Sequence, residues 1–138
     1  MIRPLYETEA DRIRENKVLE RIMIHTDAQA LKLAKRDRLD YAMFRNGQCV
    51  ALIEIKTRRI PFNQFETVMI EYSKAEAARQ IAFETGLPCY LFVEWMDALG
   101  FINFAEHFDL GVGGRRDRHT EDYGLAAYYP RRKFKLIS

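Results

Sequence analysis

Thiols, histidines and long apolar runs are scarce in this 138-residue sequence, and each shortage excludes something. The two cysteines, Cys49 and Cys89, sit in apolar segments with no C-x-x-C spacing and no histidine near them. That pattern argues against zinc and reads as two buried thiols in a reducing cytosol. The three histidines, His25, His107 and His119, are scattered without partner spacing, so none is assigned catalysis. No apolar run approaches the roughly 20 residues of a membrane-spanning helix. The opening "MIRPLYETEADRIREN" is charged almost from its first residue, unlike a signal peptide, so the expected location is the cytoplasm. There is no internal repeat and no low-complexity tract. The length suits one domain over residues 1–138, with a real core.

The net charge is only +2, but it is unevenly spread. "KLAKRDR", "KTRR", "GGRRDRH" and "PRRKFK" are basic clusters, while acid gathers in the first helix and around residues 71–84. This distribution permits a polyanionic partner and equally permits a solvated surface. "GVGGRRDRH" looks like a phosphate-cradling loop but has no P-loop lysine at the right spacing. It reads either as a basic loop touching a nucleic-acid backbone or as a plain connection. Phe101, Phe104, Phe108, Tyr128, Tyr129 and Trp95 read as packing residues rather than base-stacking platforms.

Hydrophobic periodicity orders the chain. Thr8 is expected to cap a helix running to about Met23, with an apolar stripe including Val18, Leu19 and Ile22. Residues 30–36 read as an edge strand, and "RLDYAMFR" as a second strand. Asn46-Gly47 is a two-residue hairpin signal leading into a third, central strand, "CVALIEIK". "TRRIPFNQFET" reads as a loop and "VMIEY" is ambiguous. Ser73 and Glu76 suggest a capping box for a helix that Gly86-Leu87-Pro88 ends. "CYLFVEW" and "LGFINFAE" are two more strands, "GVGGRRDRHTEDYG" is loop-like, and the C-terminal segment holds a short final strand. A helix between two strongly apolar strands suggests a βαβ crossover. With the antiparallel hairpin, this makes an α/β fold with a mixed central sheet flanked by helices.

Several charged residues fall where burial is expected. Alternation puts Val50, Leu52, Glu54 and Lys56 on one face of the third strand, and Ala51, Ile53 and Ile55 on the other. A buried carboxylate must be paired, hydrogen-bonded or bound to a cation. Lys56 alone could neutralise Glu54 as a strand-end ion pair. Asp40, however, lies on the neighbouring hairpin strand. On the first helix Glu15 shares the apolar face of Val18, Leu19 and Ile22, and Asp11 is a second candidate one turn earlier. Carboxylates and a lysine converging from a helix and two strands would form a hard-oxygen site suited to Mg²⁺ or Mn²⁺. Such an ion activates water and stabilises charge on a phosphoryl oxygen, and Lys56 could orient or deprotonate that water.

At these residues the chain resembles the PD-(D/E)XK nuclease superfamily. Glu15 matches its helix acid, Asp40 its Asp, and "EIK" (Glu54, Ile55, Lys56) its (D/E)-x-K. The likeness spans about residues 5–95. Leu39 stands where the family has proline before the Asp. The resemblance implies a restriction-endonuclease-like core and DNA as partner. It also implies Mg²⁺ (or Mn²⁺) on Asp40, Glu54 and the Ile55 carbonyl, with Glu15 tuning it, and a lysine, Lys56, that assists the attacking water. Lys74 matches a position that often carries an active-site lysine, although a solvated first-turn lysine is the alternative. The small size resembles phage-encoded nucleases acting in the host cytoplasm. A double-strand or junction cut would require two sites, hence a homodimer. Two other readings stand beside this one: a non-catalytic nucleic-acid-binding or assembly module on the same fold, and a Mg²⁺-dependent phosphohydrolase acting on free nucleotides.

Overall fold

The structure is a computed structural model and describes residues 8–34, 37–113 and 124–137. Helix α1 spans Glu9–Thr26. The Thr8 hydroxyl accepts the Asp11 N–H at 3.0 Å, and the Asp11 carboxylate accepts the Thr8 N–H at 3.2 Å, a reciprocal capping box. The helix outruns its expected end at Met23 and stops at Asp27, which adopts the left-handed conformation. Val18, Leu19 and Ile22 are buried, as the stripe requires.

Six strands form the main sheet: β1 (Gln29–Lys32), β2 (Tyr41–Arg45), β3 (Gln48–Thr57), β5 (Cys89–Glu94), β6 (Leu99–Asn103) and β9 (Lys135–Leu136). Their order is β1-β2-β3-β5-β6-β9, which leaves β1 at an edge and β3 in the interior. Asn46 and Gly47 both have positive φ, 52° and 77°, the geometry of a tight hairpin turn between β2 and β3. Among the described strands of this sheet only β3 and β5 pair in parallel, joined through helix α2 (Tyr72–Thr85), so the sheet is mixed.

The sheet has a buried cluster on each side. Ala51, Ile53, Ile55 and Phe92 pack with α1, whereas Cys89, Leu91 and Val93 pack with Ala75 and Ala78 of α2. One strand register departs from simple alternation. The β2–β3 pairing shifts between Met43 and Phe44, so that Ala51 and Cys49 are partnered and Val50 is skipped. Val50 therefore packs on the α1 side with Ala51, not on the Leu52 side as strict alternation predicts.

A second sheet is the main feature absent from the sequence reading. The ambiguous "VMIEY" supplies β4 (Thr67–Glu71), which pairs with β8 (Gly124–Pro130), and β8 pairs with β7 (Asp109–Gly113). Val68 and Ile70 point inward and their neighbours outward, the period-2 pattern of a strand with one wet face. β7 also takes up residues 111–113 of the segment expected to be a loop; residues 114–123 lie outside the described residues. Ser73 is not a cap: α2 begins at Tyr72, its N-cap is Glu71, and no side chain caps it.

α2 lies between β5 and the strands β4 and β8, and Ala75 and Ala78 at its contact face have no exposed surface. Only small side chains fit where a helix is packed from two directions. Ala78→Leu is expected to destabilise the fold by about 1–3 kcal/mol through overpacking. A urea midpoint equal to wild type would show that this seam has slack.

Candidate active site

Where β2 meets β3, main-chain hydrogen bonds hold an acid in place. Asp40 immediately precedes β2; its N–H donates to the Ile53 carbonyl and its carbonyl accepts the Leu33 N–H, both at 2.9 Å. Its carboxylate Oδ2 accepts the Ile55 N–H, also at 2.9 Å. Asp40 thus engages the peptide groups on both sides of Glu54. Ile53 is met twice, by Tyr41 as ladder partner and by the Asp40 N–H, and this irregularity lets a side chain replace a backbone acceptor. The half-buried Asp40 is consequently aimed by the strand rather than by a flexible loop.

Glu54 is the one buried charged residue among those described, with 3% of its surface exposed. Its side chain shares the α2 side with Leu52, while Ile53 and Ile55 face α1. Two lysines meet its two oxygens. Lys56, one pleat further on, places Nζ 3.4 Å from Oε2. Lys74, in the first turn of α2, places Nζ 3.3 Å from Oε1 and also donates to the Arg38 carbonyl. Lys74 is therefore not a solvated first-turn lysine; α2 delivers it to Glu54.

Burial still outweighs this company. It pushes the Glu54 carboxyl above its ordinary value of 4.5, the Asp40 charge adds to the push, and the two ammonium groups oppose it. The pair is an electrostatic conflict that a cation between the carboxylates would relieve. Hard-oxygen donors in this number match how Mg²⁺ is ordinarily held, by one or two carboxylates with the remaining positions left to water and substrate. The two carboxylates, Asp40 and Glu54, are donors of the kind such an ion takes.

Glu15 does not join them. It lies on the α1 face, where the Tyr41 hydroxyl donates to it at 2.5 Å and Lys32 approaches to 3.9 Å. Lys32 also sits over the Tyr41 ring, 4.6 Å from its centroid. Among the described residues no group of three His, Cys, Asp or Glu side chains is placed to share a metal. The expected convergence of three carboxylates is thus two carboxylates and two lysines, with the third acid across the sheet. Asp11 is committed to the helix cap and to Arg14 at 3.1 Å. The Thr8 hydrogen bonds, aided by Arg14, hold its carboxyl below the ordinary range. Asp11, Arg14 and Glu15, with Thr57 and Arg59, line a polar cleft of about 240 Å³ beside the end of β3. Tyr41 and Lys32 were missed as partners of Glu15. Strand alternation held the signal, because the residue after Asp40 faces the helix.

Comparison with known proteins gives the family and the fold. Over residues 1–136 the chain matches the family described as "Phage putative PDDEXK endonuclease", and it belongs to that family. No curated protein matches the sequence. Among solved structures it is similar to Archaeoglobus fulgidus Hjc, a Holliday junction resolvase from an archaeal hyperthermophile. The TM-score is 0.62 at 14% identity, covering 94% of this chain and 93% of the other. The architecture is the restriction-endonuclease-like fold, as the resemblance implied.

The raised Glu54 value means that the folded state holds this proton more tightly than the unfolded chain does. Its contribution to stability is fully present below the ordinary 4.5 and is lost as pH rises through the raised value. Glu54→Gln, neutral throughout, is expected to melt above wild type at pH 7 in EDTA, the gap closing as pH falls toward the ordinary carboxylate range. A lower melting point at pH 7 would mean that the two lysines outweigh burial.

Proposed function

We propose that this chain is a metal-dependent endonuclease that hydrolyses phosphodiester bonds in DNA, with Asp40, Glu54, Lys56 and Lys74 as its catalytic group. The observation that carries the proposal is the buried Glu54, met by a lysine on each oxygen and set beside an Asp locked to the same strand. A structural ion pair would need one lysine and no second acid. Membership of an endonuclease family supports the same reading.

Mg²⁺, or Mn²⁺ in its place, would be held by Asp40, Glu54 and the Ile55 carbonyl and, when bound, would supply positive charge at a phosphoryl oxygen and a more acidic water. The remaining chemistry belongs to the chain. Lys56 keeps 38% of its side chain exposed, enough for its ammonium to reach solvent. There it orients the attacking water and offsets the charge that grows on the phosphate. Lys74 is more enclosed, at 24%, and its bond to the Arg38 carbonyl fixes the ammonium at the edge of the site. It opposes the burial that raises the proton affinity of Glu54 and adds positive charge facing the phosphate. Glu15 acts on the other face by holding Tyr41, the residue next to Asp40, and is a positioning residue.

DNA is the proposed substrate, and the four-way junction is the first form to test because the similar fold is that of a Holliday junction resolvase. Cutting both strands of a junction requires two sites and hence a homodimer. The proposed setting is the host cytoplasm during phage growth; no described helix is long and apolar enough to cross a membrane.

The test is cleavage of labelled linear duplex, single strand, flap and four-way junction with Mg²⁺, Mn²⁺ or EDTA. Asp40→Ala, Glu54→Ala and Lys56→Ala should each lower the rate about a hundredfold or more. Glu15→Gln should cost clearly less, because Glu15 stands across the sheet. Full activity in Glu54→Ala would sink the assignment. Salt-sensitive DNA binding with no cleavage under any metal would favour a non-catalytic binding module.

A further inference from the structure

Beyond β3 the chain builds a pocket that the proposed chemistry does not use. Lys56 and Arg58 are two residues apart, on the order of 7 Å in extended chain. The Arg58 N–H donates to the Glu94 carbonyl, so the strand pairing continues to that point. Arg58 opens a cavity of about 380 Å³ lined also by Phe62, Phe65, Trp95, Tyr128 and Arg131. This lies within the roughly 300–1,000 Å³ of small-molecule sites. The cavity adjoins the carboxyl ends of the parallel strands β3 and β5, where open α/β sheets place their ligands.

The pocket is built, not incidental. Its wall, the loop 58–66, is pinned by the Phe62 N–H to Asp97 at 2.8 Å, the Met96 N–H to the Ile60 carbonyl at 3.1 Å and the Arg131 N–H to the Glu66 carbonyl at 2.8 Å. Phe62 meets Trp95 edge-on, with ring centroids 4.8 Å apart at 89°. Phe65 is left 55% exposed at the mouth. Both arginines are aimed by carbonyls: Arg58 donates to Met69 at 3.0 Å, and Arg131 donates to Phe65 at 3.1 Å while lying 5.2 Å over the Phe62 ring. Among the described residues no carboxylate pairs with either guanidinium. Two oriented guanidinium groups around aromatic walls complement a ligand with a flat π-face and a phosphate.

We propose that this pocket receives an unstacked nucleobase of the DNA substrate, the aromatic wall stacking the base while Arg58 and Arg131 take the adjoining phosphate. The inference rests on the nuclease reading and deepens it: an opened base beside the site would tie cleavage to DNA that is branched, frayed or single-stranded. An opened base is available without unpairing cost only in such forms.

Trp95 is the only tryptophan in the sequence and backs the cavity from the core, so its emission senses what fills it. Single-stranded oligodeoxyadenylate and oligodeoxythymidylate would be titrated into the full chain in EDTA. Trp95 emission and the anisotropy of a label on the DNA would be followed separately. The expected result is saturable quenching that parallels the anisotropy. Phe65→Ala, which alters an exposed ring and should leave the fold intact, should weaken binding about tenfold. A rise in anisotropy with unchanged Trp95 emission and no Phe65→Ala effect would overturn the pocket and leave the nuclease reading standing. A chain that binds no DNA, and cleaves none with metal, would overturn the nuclease reading and the pocket with it. Trp95 emission that tracks protein concentration and dimer formation rather than DNA would make the pocket a subunit contact and overturn the proposal.

Discussion

Everything at the proposed site depends on one electrostatic conflict: a carboxylate, Glu54, buried beside a second carboxylate, Asp40, in the interior of a sheet. A charge so placed is costly unless something answers it. The chain answers in part, with Lys56 from the same strand and Lys74 from the following helix, and burial still prevails. A metal-binding reaction centre needs that incompleteness, because fully neutralised acids would have little affinity left for a cation.

The fold is arranged to hold this conflict still. Asp40 is hydrogen-bonded to β3 backbone and to the Leu33 N–H just past β1, which holds it beside Glu54. Parallel pairing of β3 with β5 puts Glu54 in an interior strand and obliges a crossover, and the crossover helix carries Lys74 back over the sheet. α2 is in turn fixed by the alanines that let it sit between β5 and the second sheet. The proposed nucleobase pocket uses the same framework, since β4 and β8 of that sheet supply its far wall. Rigid strands thus position the acids, and loops at their ends shape the approach.

Much of this was legible in the residues, and the limits have physical reasons. Asn46-Gly47 announced its hairpin because two positive-φ residues in succession have few other uses. Glu54 and Lys56 fell on one face because alternation holds from Leu52 onward. It failed at Val50, where a register shift rotates the strand, an event set by pairing and invisible in one strand's pattern. Glu15 was placed correctly on the buried face of α1, yet helical periodicity cannot say which face of the sheet the helix covers, and it covers the one Glu54 does not use. The second sheet escaped notice because β4 is short and β7 and β8 lack a clean alternation, so only their pairing reveals them. Ser73 misled as a cap because composition outvoted geometry: α2 follows directly on β4 and its start is set by the strand's end.

The most direct test of the central claim is calorimetric titration of Mn²⁺ into the DNA-free chain and into Glu54→Gln, each in two buffers of different ionisation enthalpy. The account predicts that the wild-type chain binds Mn²⁺ with a proton release that grows as pH falls toward the ordinary carboxylate range, and that Glu54→Gln loses both the binding and the release. Mn²⁺ binding of equal strength in Glu54→Gln, with the same proton count, would contradict it.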